Sequence, residues 1–370
     1  MKAMILAAGK GTRVRPLTYE MPKPMIPIMG KPVMEYLVEE LERHGFNEIM
    51  INVSHLPEKI ENYFGNGERF GVEIGYSFEG HIEDGAIKST ALGSAGGLKR
   101  IQEFSGFFDD TFLVVCGDAL IDLDLTQAVR DHWRSGAVAS ICTLDVPKSQ
   151  VSNYGVVVSD REGRITSFQE KPSIEEALST QVNTGIYIFE PEIFDLIPAD
   201  TEFDIGGELF PKIIEKNLPF NAINLPFNWI DIGRISDFWE ANQKIMQGDL
   251  RTIPMPGKEV KPGVWAGLNI SVDWQNCEIQ GPVYIGSGTT IEKGAMIVGP
   301  TWIGNGCHIR KDARISKSII FDYTRIGSTS IVKDSVAFGK FVVDREGNSF
   351  ESDNMHIDWV SDSRIKADKV

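Results

Sequence analysis

Cysteine is scarce in this sequence. There are four among 370 residues, Cys116, Cys142, Cys277 and Cys307, and no Cys-x-x-Cys pair. That excludes a disulfide-stapled scaffold and a cysteine-built zinc site, and the thiols are expected to stay reduced in a cytoplasmic protein. Long apolar runs are missing too. None approaches the ~20 residues that a membrane-spanning helix requires. The opening MKAMILAAGKG reaches a charged, glycine-rich stretch too soon for a signal peptide. Positive charge is short overall: 37 Lys+Arg against 52 Asp+Glu give a net charge of −15. Such a chain is no general binder of nucleic acid or of an anionic membrane, and an anionic ligand must be met by a local basic patch. Hydrophobic residues make up 42% of the whole, enough for a packed core, and the length suggests two domains or one with an appendage.

The basic residues cluster once. Lys10, Arg13, Arg15 and Lys23 fall within AAGKGTRVRPLTYEMPK, residues 7–23, opposed only by Glu20. The apolar run Met4-Ile5-Leu6 leads into it and reads as a short buried strand. Gly9 and Gly11 carry no Cβ, so the backbone can turn sharply and approach a ligand. A strand emptying into a glycine turn flanked by cations suits a polyphosphate, with turn N–H groups facing its oxygens. Neither common phosphate loop is present. Gly9-Lys10 is followed by Gly11 where a Walker loop needs Ser or Thr, and Val14 stands where a dinucleotide fingerprint needs its third glycine. The plainer alternative is a glycine turn with solvated charges. The continuation Thr12-Arg13-Val14-Arg15-Pro16-Leu17-Thr18, with Pro22-Lys23-Pro24, argues against it.

That continuation carries a family resemblance. The stretch is similar to G-x-G-T-R-x-x-P-x-T followed by P-K-P, the signature of the sugar-1-phosphate nucleotidylyltransferases, or nucleotide-sugar pyrophosphorylases. The likeness extends over roughly the first two thirds of the chain. It implies nucleotide contacts from Leu6, Ala7, Ala8, Gly9, Gly11 and Thr12, with Arg13 on the phosphates and Lys23 on the reacting phosphate. The pattern of alternating strands and helices implies a Rossmann-like, mostly parallel α/β sheet, which binds ligands at the carboxyl ends of its strands.

Later segments extend the resemblance in order. Leu92-Gly93-Ser94-Ala95-Gly96 is similar to an L-G-T-A-G element that closes over the base, adding Gly93 and Ser94 to the nucleotide contacts. Residues 80–90 read as an exposed polar loop, and the interval from Glu79 to Leu92 is longer than in the family, so no base-recognition role is carried over to Glu79. The strand Thr111 to Cys116 ends in Gly117-Asp118, where the resemblance places a nucleotide contact and a Mg²⁺ ligand; a turn aspartate is the plainer alternative. Asp122 and Asp124 read as turn and capping residues of a helix from Leu125 to Ser135. Tyr154-Gly155, Glu170-Lys171-Pro172 and Asn183-Thr184-Gly185 resemble the family's sugar-phosphate contacts. They contribute Tyr154, Gly155, Glu170, Lys171, Asn183 and Thr184, with the glutamate on sugar hydroxyls and the lysine on the sugar phosphate. Trp229-Ile230-Asp231-Ile232-Gly233 is similar to W-x-D-I-G, whose aspartate is the second metal ligand. The implied catalytic set is Arg13, Lys23, Asp118, Lys171 and Asp231, and Mg²⁺ is held by Asp118 and Asp231.

Beyond Pro254, Pro256 and Pro262 the period changes. Ile279, Ile285, Ile291, Ile297, Ile303, Ile309 and Ile315 recur at every sixth residue, and after a slip of one, Ile320, Ile326, Val332 and Phe338 continue. A six-residue apolar repeat predicts a parallel β-helix, each repeat one flat side. It resembles the left-handed β-helix appended to many of these transferases. The expected division is a catalytic domain over 1–248, a linker over 249–263, a hexapeptide-repeat β-helix over 264–340 and a polar tail over 341–370.

The resemblance implies NTP + sugar 1-phosphate → NDP-sugar + pyrophosphate, in a cytoplasmic homo-oligomer assembled through the β-helix. The chain is similar to UDP-glucose pyrophosphorylases of the mannose-1-phosphate guanylyltransferase-like type. Ala8 stands where guanylyl and thymidylyl enzymes usually carry glycine, and its methyl favours a pyrimidine, worth ~1–3 kcal/mol. UTP with glucose 1-phosphate is therefore expected, with GTP and mannose 1-phosphate as the alternative. Two remoter readings are a non-catalytic nucleotide-sugar-binding regulator, and a hexapeptide acyltransferase, for which His308 is the histidine within the repeats.

Overall fold

The central sheet grows from the apolar runs. In the computed structural model, which describes residues 1–83, 86–90, 92–249, 253–352 and 359–365, strand β1 is Lys2–Leu6. It lies parallel to, and between, β2 (Glu48–Val53) and β4 (Phe112–Cys116), and β3 (Glu73–Phe78) pairs parallel on the far side of β2. Beyond β4 the sheet turns antiparallel. There β8 (Gln181–Phe189) pairs along its length with β5 (Ala139–Asp145) on one side, and on the other with β4 and, at Val182, with β6 (Val156–Ser159), to which β7 (Ile165–Gln169) adds.

Successive residues of a strand point to opposite faces, and here both faces are covered. Ile5 and Val115 join a core with Leu37, Val38, Leu125 and Val129. Met4 and Val114 join another with Leu98, Ile101 and Phe189. The helices supplying these residues are α1 (Val33–Arg43), α3 (Gly93–Ser105) and α4 (Leu125–Ser135), with α2 (Pro57–Phe64) between β2 and β3. Asp124 caps α4 through the amide of Gln127, as its position before the apolar repeat predicts. Residues 80–90 differ from the expected loop: Gly80–Glu83 and Ala86–Ser89 pair antiparallel as a hairpin, while residues 84 and 85 lie outside the described residues. Ladder hydrogen bonds come from the backbone, so a polar stretch can form them without the apolar alternation that sequence reading relies on.

The chain divides into two compact units. One comprises Met1–Lys10, Met21–Ile26 and Val33–Trp229; the other comprises Gly11–Glu20, Pro27–Pro32 and Ile230–Val370. The second contains a β-helix. Three parallel sheets stack coil upon coil, as in Ile285↔Ile303↔Ile320, Ile291↔Ile309↔Ile326 and Ile297↔Ile315↔Val332. The inward isoleucines fill one core. At the last coil Ala337, not Phe338, stands in register with Ile320 and joins that core. A second one-residue slip turns Phe338 outward to pack, with tilted rings, beside Phe321 and Phe341.

The expected polar tail is partly folded. Phe341–Asp344 and Ser349–Glu351 extend one sheet, and Val360–Asp362 extends another, all antiparallel, burying Val342, Val343 and Val360. The expected linker likewise contains a strand, Lys258–Lys261, paired with Val264–Ala266. Residues 250–252 of that stretch, and 353–358 and 366–370 of the tail, lie outside the described residues. No described helix is long and apolar enough to cross a membrane.

Candidate active site

The carboxyl ends of β1, β2 and β4 open on a cavity of about 500 Å³. Its lining includes Ala8, Gly9, Gly93, Ser94 and Asp118 from the residues expected on sequence, together with Asn52 and Glu79. Parallel register accounts for the gathering: Leu6 stands opposite Asn52 on one side and Cys116 on the other, so the loops after all three strands meet. The Gly117 amide donates to Leu6 O at 3.0 Å, which ties the turn bearing Asp118 to the end of β1.

Asp118 projects from this turn and forms an ion pair with Lys23. Both side chains are mostly buried, and the pair lies within the first unit. Asp118 lines the cavity and Lys23 is paired to it, and a carboxylate and an ammonium can serve a cation and a phosphate, respectively.

Asn52 and Glu79 hold the cavity's other wall. The Ala7 amide donates to Asn52 Oδ1 at 2.6 Å, and Asn52 Nδ2 donates to Glu79 Oε1 at 2.7 Å. Glu79 is only 5% exposed. Burial raises its carboxyl above the usual range, opposed by the Asn52 hydrogen bond, the Arg100 charge and the Leu92 amide. Sequence reading gave no part to Asn52 and carried none over to Glu79. The signal available was positional: both end strands of the same parallel sheet.

The start of α3 is held by its neighbours. The Ala95 and Gly96 amides both donate to Phe203 O at 2.9 Å, so these two helix N-terminal groups face the backbone rather than open space. Gly93 has φ +70°, and a Cβ there would meet Phe203 O at 2.5 Å, which requires glycine. Ser94 Oγ donates to Asp204 Oδ2 at 2.7 Å and accepts from the Ile205 amide at 2.8 Å.

The expected sugar contacts form a neighbouring group. Tyr154 packs on Trp229 with ring centroids 5.0 Å apart. A Cβ on Gly155 would lie 3.4 Å from Glu170 Oε2. Glu170 and Lys171 pair at 2.9 Å, each about half exposed. Asn183 Nδ2 donates to the Tyr187 hydroxyl at 3.0 Å, and its Oδ1 accepts from the Gly185 amide. Thr184 is buried instead, and its hydroxyl donates to Cys142 O at 2.6 Å. Its part there is to fasten β8 to β5.

The remaining expected residues belong to the second unit. Gly11, φ +59°, opens a single 3-10 turn over Thr12–Val14. Buried Val14 and Leu17 anchor this loop while Thr12 and Arg13 are exposed, and Thr18 Oγ1 donates to Gly11 O at 2.8 Å. Asp231 is half-buried, with Asp237 across Gly233 from it: a Cβ on Gly233 would lie 3.1 Å from a carboxylate oxygen of each. His308 pairs with Glu292 at 2.8 Å on the outside of the β-helix.

Residues 2–248 match the Nucleotidyl transferase family and residues 279–345 the GMPPB C-terminal domain. The chain belongs to the nucleotidyl transferase family. Among its relatives, a UTP–glucose-1-phosphate uridylyltransferase from Synechocystis is 56% identical, the match covering 99% of this chain and 95% of the relative. A mannose-1-phosphate guanylyltransferase from Mycobacterium tuberculosis is 28% identical over 90% of this chain and 82% of its own. A solved structure, a putative glucose-1-phosphate thymidylyltransferase from Bacillus anthracis in complex with sucrose, shares the fold. Its TM-score is 0.58 at 24% identity, covering 70% of this chain and 98% of that one. This likeness agrees with the α/β sheet expected for a nucleotidyl transferase.

Proposed function

We propose that this nucleotidyl transferase joins UTP to glucose 1-phosphate, giving UDP-glucose and pyrophosphate. One observation carries the reading. The cavity at the ends of the parallel strands presents Ala8, Gly9 and Asp118, with Lys23 on Asp118, in a chain matched over 99% of its length by a uridylyltransferase. An oxygen of the sugar phosphate attacks the α-phosphorus in line, the bond from that phosphorus to the bridging oxygen breaks, and pyrophosphate leaves. No covalent enzyme intermediate is required. Catalysis is positioning and charge neutralisation.

The residues divide that work. The backbone at Gly9, Gly11 and Thr12 cradles the triphosphate, and Arg13 neutralises its outer phosphates. Lys23, paired with Asp118 before substrate arrives, turns its ammonium to the α-phosphate. Lys171 leaves Glu170 for the incoming sugar phosphate, freeing the Glu170 carboxylate for sugar hydroxyls. Tyr154, Gly155 and Asn183 shape the sugar's seat. Asp118 and Asp231 are hard oxygen donors that fit Mg²⁺. Among the described residues no three His, Cys, Asp or Glu side chains gather as a metal cage. Carboxylates of this kind would hold Mg²⁺ together with substrate phosphate oxygens and water. When bound, it would supply charge neutralisation at the reacting phosphates.

The test is kcat/KM for UTP with glucose 1-phosphate against GTP with mannose 1-phosphate, read by pyrophosphate release. A preference for the second pair, the substrate of the guanylyltransferase relatives, reverses the assignment and leaves the mechanism in place. We place the enzyme in the cytoplasm as a homo-oligomer joined through the β-helix. Unchanged mass in solution after deletion of 261–370 refutes that assembly role.

A further inference from the structure

The outer face of one β-helix sheet is aromatic and apolar where a solenoid exposed to water would be polar. Trp265, Tyr284, Trp302, Ile319 and Val336 stand in register on successive coils. Tyr284 and Trp302 stack at 4.0 Å with 19° between their planes, and each is only 8% exposed. Two segments of the same unit pack on this side of the β-helix. The helix Ile235–Gln247 packs against the last coil, with Phe238 near Phe321. The other is a hairpin, Pro27–Ile28 paired with Lys31–Pro32.

That hairpin turns through Met29 and Gly30, both with positive φ, +49° and +84°. Two such residues give a tight two-residue hairpin turn. Its tip rests on the indole: a Cβ on Gly30 would lie 3.4 Å from Trp302 Cζ2. Helix Ile235–Gln247 packs on the hairpin as well. Trp302 itself is no part of the inward core, which is made by Ile285, Ile303, Ile320 and their equivalents. On the outer face it touches both Tyr284 of the neighbouring coil and the hairpin tip.

The hairpin and Gly11–Glu20, which carries Thr12 and Arg13, belong to the same compact unit as the β-helix. Six residues of chain, Met21–Ile26, join the two segments, and Lys23 is one of them. We propose that Trp302 is a positioning residue for the nucleotide-binding loop: the aromatic face of the β-helix clamps the Pro27–Pro32 hairpin and so holds Gly11–Arg13 in the form that meets the triphosphate. The β-helix then has a role in substrate binding within one chain, apart from any part in assembly. This rests on the reading of Gly11–Arg13 as triphosphate contacts.

The test uses the full chain with Trp302→Ala, Trp302→Phe and, separately, Arg13→Ala. Amide hydrogen exchange and KM for both substrates are measured on each. Expected for Trp302→Ala is faster exchange in residues 11–20 and 27–32, with coils 283–326 still protected. KM for the NTP should rise on the order of tenfold while KM for the sugar phosphate stays within about twofold. Trp302→Phe, which keeps a flat ring under Gly30, restores most of both. Unchanged exchange in the two segments overturns the clamp. Faster exchange with an unchanged KM for the NTP overturns the positioning role. Arg13→Ala tests the underlying reading alone, since its KM effect does not depend on Trp302. Should Trp302→Ala prove insoluble, Trp302→Leu carries the same measurements.

Discussion

Replacing Asn52 with leucine removes the link between the end of β1 and the cavity wall. Asn52 is 3% exposed and uses both halves of its amide, accepting from Ala7 N–H at 2.6 Å and donating to Glu79 Oε1 at 2.7 Å. Leucine is close in volume, so the loss is polar rather than a cavity. An orphaned buried amide costs about 1–3 kcal/mol and a lost hydrogen bond to a charged group about 1.5–3, so Asn52→Leu should destabilise by about 3–5 kcal/mol. At about 2–4 °C per kcal/mol for a domain of this size, calorimetry should show Tm lower by roughly 6–20 °C. The pH dependence adds a sign. Burial already raises the Glu79 carboxyl, and the Asn52 donor is one of the groups opposing that rise. Without the donor the folded-state pKa climbs further, and the folded variant binds its proton over a wider window above the usual glutamate range. The deficit is therefore largest at neutral pH and shrinks as pH falls through that window. The double variant Asn52→Leu/Glu79→Leu should cost less than the sum of the singles, because the unpaired carboxylate is gone. A deficit under about 1 kcal/mol, or one that is flat with pH, refutes the reasoning.

Asp118→Asn and Asp231→Asn are each expected to lose about 3 kcal/mol or more of transition-state stabilisation while remaining folded. Pyrophosphate release at saturating magnesium checks this, and near-normal kcat in either variant removes that aspartate from the site. His132 is fully buried, hydrogen-bonded to Ser140 Oγ at 2.7 Å and to Glu190 Oε1 at 3.0 Å, and burial holds its pKa below the ordinary histidine value. The unfolded chain thus binds this proton first, so stability is full above the ordinary value and falls as pH drops through it, by at most about 1.4 kcal/mol per pH unit. Urea unfolding from pH 7.5 to 5 should show this limb, and His132→Leu, though less stable at neutral pH, should have a shallower one. An unaltered slope in the variant assigns the limb to other groups.

Periodicity made the β-helix legible, and glycine-bracketed apolar runs made the parallel sheet legible, because both signals are local. Ile285, Ile291 and Ile297 face inward for the reason that they repeat, and Met4 and Ile5 serve opposite faces because they are adjacent in a strand. The slip that put Ala337 in the place of Phe338 was not legible. A one-residue change of register alters which neighbour is inward without altering composition, and Phe338 is the more apolar of the two. The tail strands hid for a related reason: Phe341-Val342-Val343 is too short a run to stand out beside Arg345, Glu346 and Asn348. At the candidate site the motifs led to the Asp118–Lys23 pair, since loop chemistry there is written in contiguous residues. Asn52 and Glu79 escaped because each is an ordinary polar residue at a strand end, and only the register of β1 with β2, and of β2 with β3, brings them into one hydrogen-bonded wall. Thr184 shows the opposite limit. It sits in a matching motif, yet as the inward residue of a strand its hydroxyl is committed to Cys142 O. A motif fixes which residues are near a ligand edge; strand alternation decides which of them can reach it.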